Sequence, residues 1–293
     1  MYVSAQHLAL ANQAVLETFE NCSVAWQAIP HWDTGDPAQT QVPANNVKTA
    51  VPGVLPIVAK SVPFDVTLAL LEATPDALLS VIVNKTVDLA TKVDAAVIPN
   101  LRVAATVQQQ LVKTDEHTIQ DSMISARATV ETQGYRAPSC LIVDTAGLKV
   151  LSLLVNGNSM LETFLTAGHV NSLHRADTIN KPTPDTPATE GLLIGRGRLI
   201  PHGGAADASA GEEPADIAVS VPPSVEVVGE KGANTIAWSS ASGTRCASRT
   251  ATESSPSRHD PGRGADLECR SARIMQSDSV ARRLPRAVQR GLR

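Results

Sequence analysis

An α+β fold is what this sequence predicts, and three observations predict it. Residues 74–98 and 114–133 carry apolar residues at helical spacing, whereas SCLIVD, GLLIG, DIAVSV and SVEVVG are short apolar runs bounded by Gly, Pro or Asp, as strands are. Aromatic residues make up only 3% of the chain, so the core has to be aliphatic. The third observation is a break in composition near Ser240: residues 1–240 hold 14 Lys+Arg against 24 Asp+Glu, whereas 241–293 hold 11 Arg, no Lys and 5 Asp+Glu. With six Leu/Ile/Val and no aromatic in 53 residues, that tail cannot bury enough apolar surface to offset its ordering entropy. It is expected to be disordered, and function is sought before residue 241.

The elements follow in order. Leu8, Ala11, Val15 and Phe19 give an amphipathic helix over residues 4–20. The segment VAWQAIPHWDTGDPAQTQVPANN is too rich in Pro, Gly, Asp and Asn to continue it and reads as an extended arm. From Val47 to Leu71 the chain alternates loosely around Pro52, Pro56 and Pro63, which suits exposed or edge strands in a long hairpin-like excursion, because proline cannot donate to a ladder. Thr74, Pro75 and Asp76 start a helix with a cap hydroxyl, a proline at the first helical position and a carboxylate at the positive end. Leu79, Val83, Ala90, Val93 and Val97 form its apolar stripe, broken at Thr86, and Pro99 with Asn100 is expected to stop it; Lys85, Asp88 and Lys92 are expected to face out. The next helix, 114–133, buries Ile119, Met123, Ala126 and Val130 and ends where Gly134 can take a left-handed cap. SCLIVD is then a buried strand, Asp144 or Thr145 caps a helix over GLKVLSLLV, and Asn156–Ser159 is a turn. After the connector KPTPDTPATE come the strands GLLIG, DIAVSV, SVEVVG and TIAW.

The tail has two readings. Back-translated with ordinary codons and read one base earlier, from the last base of the Ser240 codon, ASGTRCASRTATESSPSRH becomes RIRYALRVKDRNGVVPVTT, a strand, an Asn-Gly turn and a second strand. The competing reading is a basic arm for nucleic acid, although the Lys and aromatic residues that accompany such binders are missing.

No motif reaches the level of an active site. Gly195, Gly197, Gly203 and Gly204 in GRGRLIPHGG lack the strand-loop-helix order of a dinucleotide fingerprint and read as a turn. His169, His174 and His202, the last near Asp207, have no further ligands at consistent spacing and read as loop or surface histidines. Cys140 opens an apolar strand, where a free cysteine behaves as a small hydrophobe. Cys22, Cys246 and Cys269 complete a set with no paired spacing, which excludes a disulfide scaffold and fits a reducing compartment. Glu212 and Glu213 beside Pro214 read as a solvated loop. No catalytic, metal or cofactor residue is therefore assigned. No apolar run approaches the ~18 residues of a membrane span, and no membrane partner is expected. Trp26 and Trp32 are the informative residues of the arm, since large aromatics there must dock either within the chain or on a neighbour.

The order helix, arm, Pro-containing excursion, PFDVTLALLE, long helix ending in VDAAVIPN, helix ending in GY, CLIVD, GLLIG and DIAVSV…SVEVVGE resembles the Hong Kong 97-type capsid fold of tailed-phage major capsid proteins and encapsulin shell proteins. The resemblance spans residues 5 to 240 and rests on element order. It implies an N-terminal helix and arm (1–42), an E-loop (43–66), a peripheral domain (67–135 plus 222–240) with spine helix 74–98, an axial domain (136–221) and the tail 241–293. In the family the chain after SVEVVGE…NTI continues as a long strand, whose character the shifted frame has and the tail lacks. Lys48 and Lys60 lie where some members form E-loop crosslinks, but no crosslinking partner is matched. The implied function is a structural, non-enzymatic subunit of an icosahedral shell in a virion or the bacterial cytoplasm. It would assemble with itself into pentamers, with or without hexamers, around packaged DNA in a phage or a cargo protein in an encapsulin. A small cytoplasmic α/β enzyme without a recognisable motif is the alternative of another class.

Overall fold

The structure is a computed structural model that describes residues 4–43, 54–72, 75–105, 107–111, 115–179, 190–196, 213–232, 235–248 and 272–276. The first helix, α1 (Ala5–Cys22), is capped by Ser4, whose side chain accepts from the His7 N–H, and buries Ala11, Val15 and Phe19 as its spacing predicts. It is followed by α2 (Val24–Ala28), β1 (His31–Asp33) and the two-stranded ribbon of β2 (Gln41–Pro43) and β3 (Val54–Pro56). Strand β4 (Val58–Thr67), a short helix α3 (Leu68–Glu72) and the long helix α4 (Pro75–Ala104) come next. Then follow β5 (Val107–Leu111), α5 (Glu116–Thr132), β6 (Arg136–Val143), α6 (Thr145–Leu151), the hairpin β7 (Leu154–Val155) and β8 (Asn158–Ser159), α7 (Leu161–Ala167), β9 (Val170–Arg175) and β10 (Glu190–Arg196). Two long strands, β11 (Ala215–Glu230) and β12 (Thr235–Ser248), and the short β13 (Ala272–Gln276) complete the chain.

Two sheets carry the architecture. The first has the order β1-β11-β12-β4, antiparallel except where β1 runs parallel to β11. Strand β4 is its edge, the place Pro63 requires. The second is mixed, in the order β5-β13-β10-β6-β9, with β6 parallel to β9 and β13 parallel to β5. Its central strands are apolar on both faces and alternate between two cores. Cys140, Ile142, Leu192 and Ile194 enter one cluster with α4, whereas Leu141, Val143 and Leu193 enter another with Ile119, Met123, Ala126 and Val130 of α5. Helix α5 ends at Gly134, φ +90°, as its sequence predicts. Where α7 ends against α5, a Cβ on Gly168 would stand 2.6 Å from Met123 Cε, so a larger residue there would make the end of the Met123 side chain shift.

Four sequence expectations need correction. The apolar face of α4 is Leu78, Ile82, Thr86, Leu89, Val93 and Val97; Leu79 is half-buried and Val83 is exposed, so the expected stripe is displaced by one residue in its first half. Thr86 lies inside the stripe because its hydroxyl donates to the Ile82 carbonyl at 2.8 Å and leaves no polar group unpaired. The helix also runs through Pro99 to Ala104. The carbonyl that loses its donor there belongs to Ala95, on the exposed side, while the turn beyond it buries Ile98 and Leu101. DIAVSV and SVEVVG are a single strand: β11 accommodates Pro222 and Pro223 in register shifts between Val219 and Val221 and between Val221 and Ser224. Finally, the folded body does not stop at Ser240. Strand β12 continues to Ser248 because β11 and β4 flank it, and β13 lies between β10 and β5; the rest of 249–293 lies outside the described residues.

Leu89 is wholly buried in the core cluster that joins the two sheets. Burial of a leucine is worth roughly 1.5–3 kcal/mol and a buried charge costs more, so Leu89→Asp is expected to abolish soluble folded protein while Val83→Asp leaves the monomer's thermal midpoint within a few degrees. Circular dichroism melts of the two variants check the assignment; a normal melt for Leu89→Asp contradicts it.

Asp94 of α4 ties down the chain's first thirty residues. Its carboxylate accepts from the Ser23 hydroxyl at 2.7 Å, the Val24 N–H at 2.9 Å and the Ala25 N–H at 3.0 Å, capping α2 from another element. Burial pushes this carboxyl above its ordinary pKa, and the three hydrogen bonds offset the shift only in part. The folded state therefore holds the proton more tightly than the unfolded chain. Asp94 contributes its full stability below the ordinary carboxylate value of 3.8, and that contribution is lost as pH rises through the raised folded-state value. The midpoint difference between the unaltered chain and Asp94→Asn is expected to favour the unaltered chain more at pH 4 than at pH 7. A difference that is constant, or that grows toward pH 7, refutes the assignment.

Candidate assembly surfaces

The arm divides at Asp33. Its first part is packed into the body. Trp26 is buried against Phe19 edge-to-face, with ring centroids 5.3 Å apart, and stacks on His31 at 4.0 Å; Ala25, Ala28 and Ile29 join the same core. Strand β1 is paired with β11. The expectation of an extended arm is thus wrong for residues 24–33, and Trp26 is an intrachain anchor. The physical reason is the Asp94 cap, which lets a five-residue helix dock although its sequence is too short to show a period. Burial also lowers the His31 pKa, the effect of Glu20 and the Ile29 carbonyl notwithstanding.

The second part, the β2–β3 ribbon, buries Val42 but leaves other apolar groups open. In the ribbon and the start of β4, Val54, Pro56, Val58 and Ala59 are exposed, with Val54 at 60%. Further exposed apolar side chains are Leu10, Leu16, Val103, Ile124 and the following groups. Val83 and Val87 lie one turn apart on the outer side of α4, flanking the Lys85–Asp88 ion pair at 3.0 Å. Val228, 67% exposed, stands beside Val227 near the end of the β11–β12 hairpin, where Lys231 pairs with Asp65 at 2.7 Å. Leu154 is 66% exposed on the β7–β8 hairpin, whose turn places Asn156 and Gly157 at φ 51° and 82°.

The residues weighed for chemistry are dispersed. Cys140 is wholly buried in β6, where burial pushes its thiol pKa up and Ser172 is its hydrogen-bonding partner. His174 lies on the neighbouring strand β9, paired with Ile142; burial, helped by Arg196, lowers its pKa, and its Nε2 has no hydrogen-bond partner. A buried thiol held protonated is a poor nucleophile. His169 occupies a positive-φ position, 49°, and its carbonyl accepts from the Ser139 N–H at 3.0 Å. Gly195 is in β10 and Glu213 precedes β11, whereas Gly197, His202, Gly203, Gly204, Asp207 and Glu212 lie outside the described residues, as do Lys48 and Cys269. Lys60 is on the edge strand, opposite Ser242. Among the described residues no three His, Cys, Asp or Glu side chains gather as metal ligands do, and no helix is long and apolar enough to cross a membrane. Sequence reasoning missed Asp94 and the Val83/Val87 pair. A carboxylate one residue after Val93 in an otherwise apolar stretch was the available signal for the first.

No protein-family model matches the sequence, and no curated protein does. Solved structures do match in shape. The virus-like particle from Pyrococcus furiosus superposes with a TM-score of 0.61 at 12% identity, covering 93% of this chain and 99% of that one. A structure from Mycobacterium phage Adephagia gives 0.51 at 13% identity over 95% and 96% of the two chains. The encapsulin of the holo-SrpI complex from Synechococcus elongatus gives 0.50 at 11% identity over 87% and 88%. The long helix over an antiparallel sheet, the two-stranded ribbon and the mixed five-stranded sheet are therefore those of the Hong Kong 97-type capsid fold, and this chain has that fold.

Proposed function

We propose that the protein is a structural subunit of a self-assembling icosahedral shell, in the first reading the major capsid protein of a phage or prophage. The observation that carries the proposal is the fold match across nearly the whole of both chains with the virus-like particle of Pyrococcus furiosus. The separate open apolar sites on the ribbon, α4 and the hairpin ends support it, because a shell subunit must meet neighbours on several sides at once. In this reading residues 1–42 are the helix and arm, 43–66 the E-loop, 67–135 plus 222–240 the peripheral domain, 136–221 the axial domain, and 241–293 a tail outside them. No catalysis is assigned. The shell would sit in a virion or the bacterial cytoplasm, and its contents would be DNA in a phage or a cargo protein in an encapsulin nanocompartment, the second reading.

Sedimentation and negative-stain electron microscopy of the purified protein test assembly: particles, whether closed or incomplete, are expected, and a protein that stays monomeric at tens of micromolar refutes the reading. Nuclease-protected DNA inside the particles selects the phage; a single co-purifying cargo protein selects the nanocompartment. Val83→Asp combined with Val87→Asp is expected to lower the particle fraction at least ~10-fold at an unchanged monomer melt, since each side chain is open in the monomer and a charge buried at an interface is costly. Equal particle yield from that variant removes the outer side of α4 from the assembly surface.

A further inference from the structure

Strand β12 buries every second residue. Ile236, Trp238, Ser240 and Ser242 are buried, while Thr235, Ala237, Ser239 and Ala241 between them are half-buried. The core-facing row changes chemistry partway along. Ile236 and Trp238 pack with Phe64 and Val66, but Ser240 leaves its buried hydroxyl without a partner and Ser242 has only a 3.4 Å contact with the Val221 carbonyl. A buried hydroxyl left without a good partner is destabilising.

The backbone pairing continues beyond Ser242. Every register shift in the β11–β12 pairing inserts its extra residue on the β11 side, and the pairing with β4 runs from Thr235 to Thr244 without a slip, so β12 keeps its period of two. Positions 244, 246 and 248 lie opposite Val219, Ile217 and Ala215, all three members of the core cluster that joins the two sheets. Cross-strand partners share a face. The fold thus asks for apolar residues at 242, 244, 246 and 248, and the sequence supplies Ser, Thr, Cys and Ser.

We propose that the strand is encoded one base out of register, in the frame that begins with the last base of codon 240, and that the chain completing the fold is the product of that frame. In this reading each codon takes its last two bases from the first two of the present codon, so only its first base is free. A TC-type serine codon becomes one ending in TC, which encodes Phe, Leu, Ile or Val whatever precedes it. The TG of cysteine becomes a codon ending in TG, for Leu, Met or Val, and the AC of threonine becomes a codon for Tyr, His, Asn or Asp. The GC of alanine and the GG of glycine give Arg, Gly, Ser, Cys or Trp. With TC-type serine codons, positions 242, 246 and 248 therefore turn apolar, whereas 241, 243 and 247 become Arg, Gly, Ser, Cys or Trp. RIRYALRV is one such reading, with Ile, Tyr, Leu and Val in phase with the buried row and Arg, Arg, Ala and Arg on the other face. The basic sequence after Ser248, β13 included, is then the by-product of a one-base shift, and the nucleic-acid arm is the reading it displaces.

The coding sequence supplies the first test. Codons 242 and 248 must be of the TC type; an AG-type serine codon at either gives Lys, Gln, Glu or a stop and overturns the proposal. The second test compares the full chain as it stands with one that continues after Ser240 as RIRYALRVKDRNGVVPVTT. The shifted chain is expected to melt at least about 10 °C higher and to protect its amides at 241–248 from exchange. In the original chain, Ser242→Ile with Cys246→Leu is expected to raise the melt, and Ala241→Ile with Gly243→Leu is not. Equal or lower melting of the shifted chain overturns the proposal. Particle formation is scored separately: a higher melt without particles keeps the frame assignment and refutes the shell reading, whereas particles from both chains at equal melting keep the shell and refute the frame.

Discussion

One helix has to serve two sheets, and the remainder of the structure follows from how it does so. The first turns of α4 place Leu78 and Ile82 in a core with α1, Phe64, Val225 and Trp238, whereas Leu89, Val93, Val97, Ile98 and Leu101 lie in a second core shared by Val62, Ile217 and Val219 of one sheet and Cys140, Ile142, Leu192 and Ile194 of the other. A helix that stopped at Pro99 would leave this junction short of Leu101. Continuing through the proline sacrifices one backbone hydrogen bond on the solvent side and retains a buried leucine, and the exchange favours continuation when the burial is complete. The Asp94 cap has the same logic. A lone carboxylate inside a core is expensive, but one that satisfies a hydroxyl and two backbone N–H groups fixes where the N-terminal segment crosses the helix.

The five-stranded sheet stands between that junction and a third core built from α5, α6 and α7. Because β6 and β10 are apolar on both faces, the sheet can be covered on both sides without any polar seam, and titratable side chains are pushed to the strand ends or buried in neutral form, as Cys140 and His174 are.

Legibility in the sequence tracked the range of the interactions. Helices α1 and α5 and strand β6 were readable residue by residue, since their patterns are local and their apolar positions unambiguous. The face of α4 was displaced because Thr86 counts as polar in a pattern, yet in a helix its hydroxyl is satisfied one turn back. The two halves of β11 were split because consecutive prolines look like a terminator, and a bulge is visible only when the partner strand is known. Docking of α2 was beyond reach: Ser23 and Asp94 meet across 71 residues, and nothing local announces it. Composition also marked a boundary at Ser240 that backbone pairing ignores, since a strand between two partners is held by its ladder even where its side chains suit it poorly.

The aromatic stack in the arm makes the protein's own emission a reporter. Trp26 lies flat against His31, while Trp238 is wholly buried beside Phe64 at 6.2 Å with no imidazole against its ring. An imidazolium quenches a neighbouring indole and a neutral imidazole does so far less, and burial keeps His31 neutral further into acid than a free histidine. With Trp32, the arm's other indole, replaced, dimming of Trp26 on acidification would then mark the moment when His31 gains its proton, and it would show in a cuvette whether the segment beneath α4 has come loose before the sheet around Trp238 does.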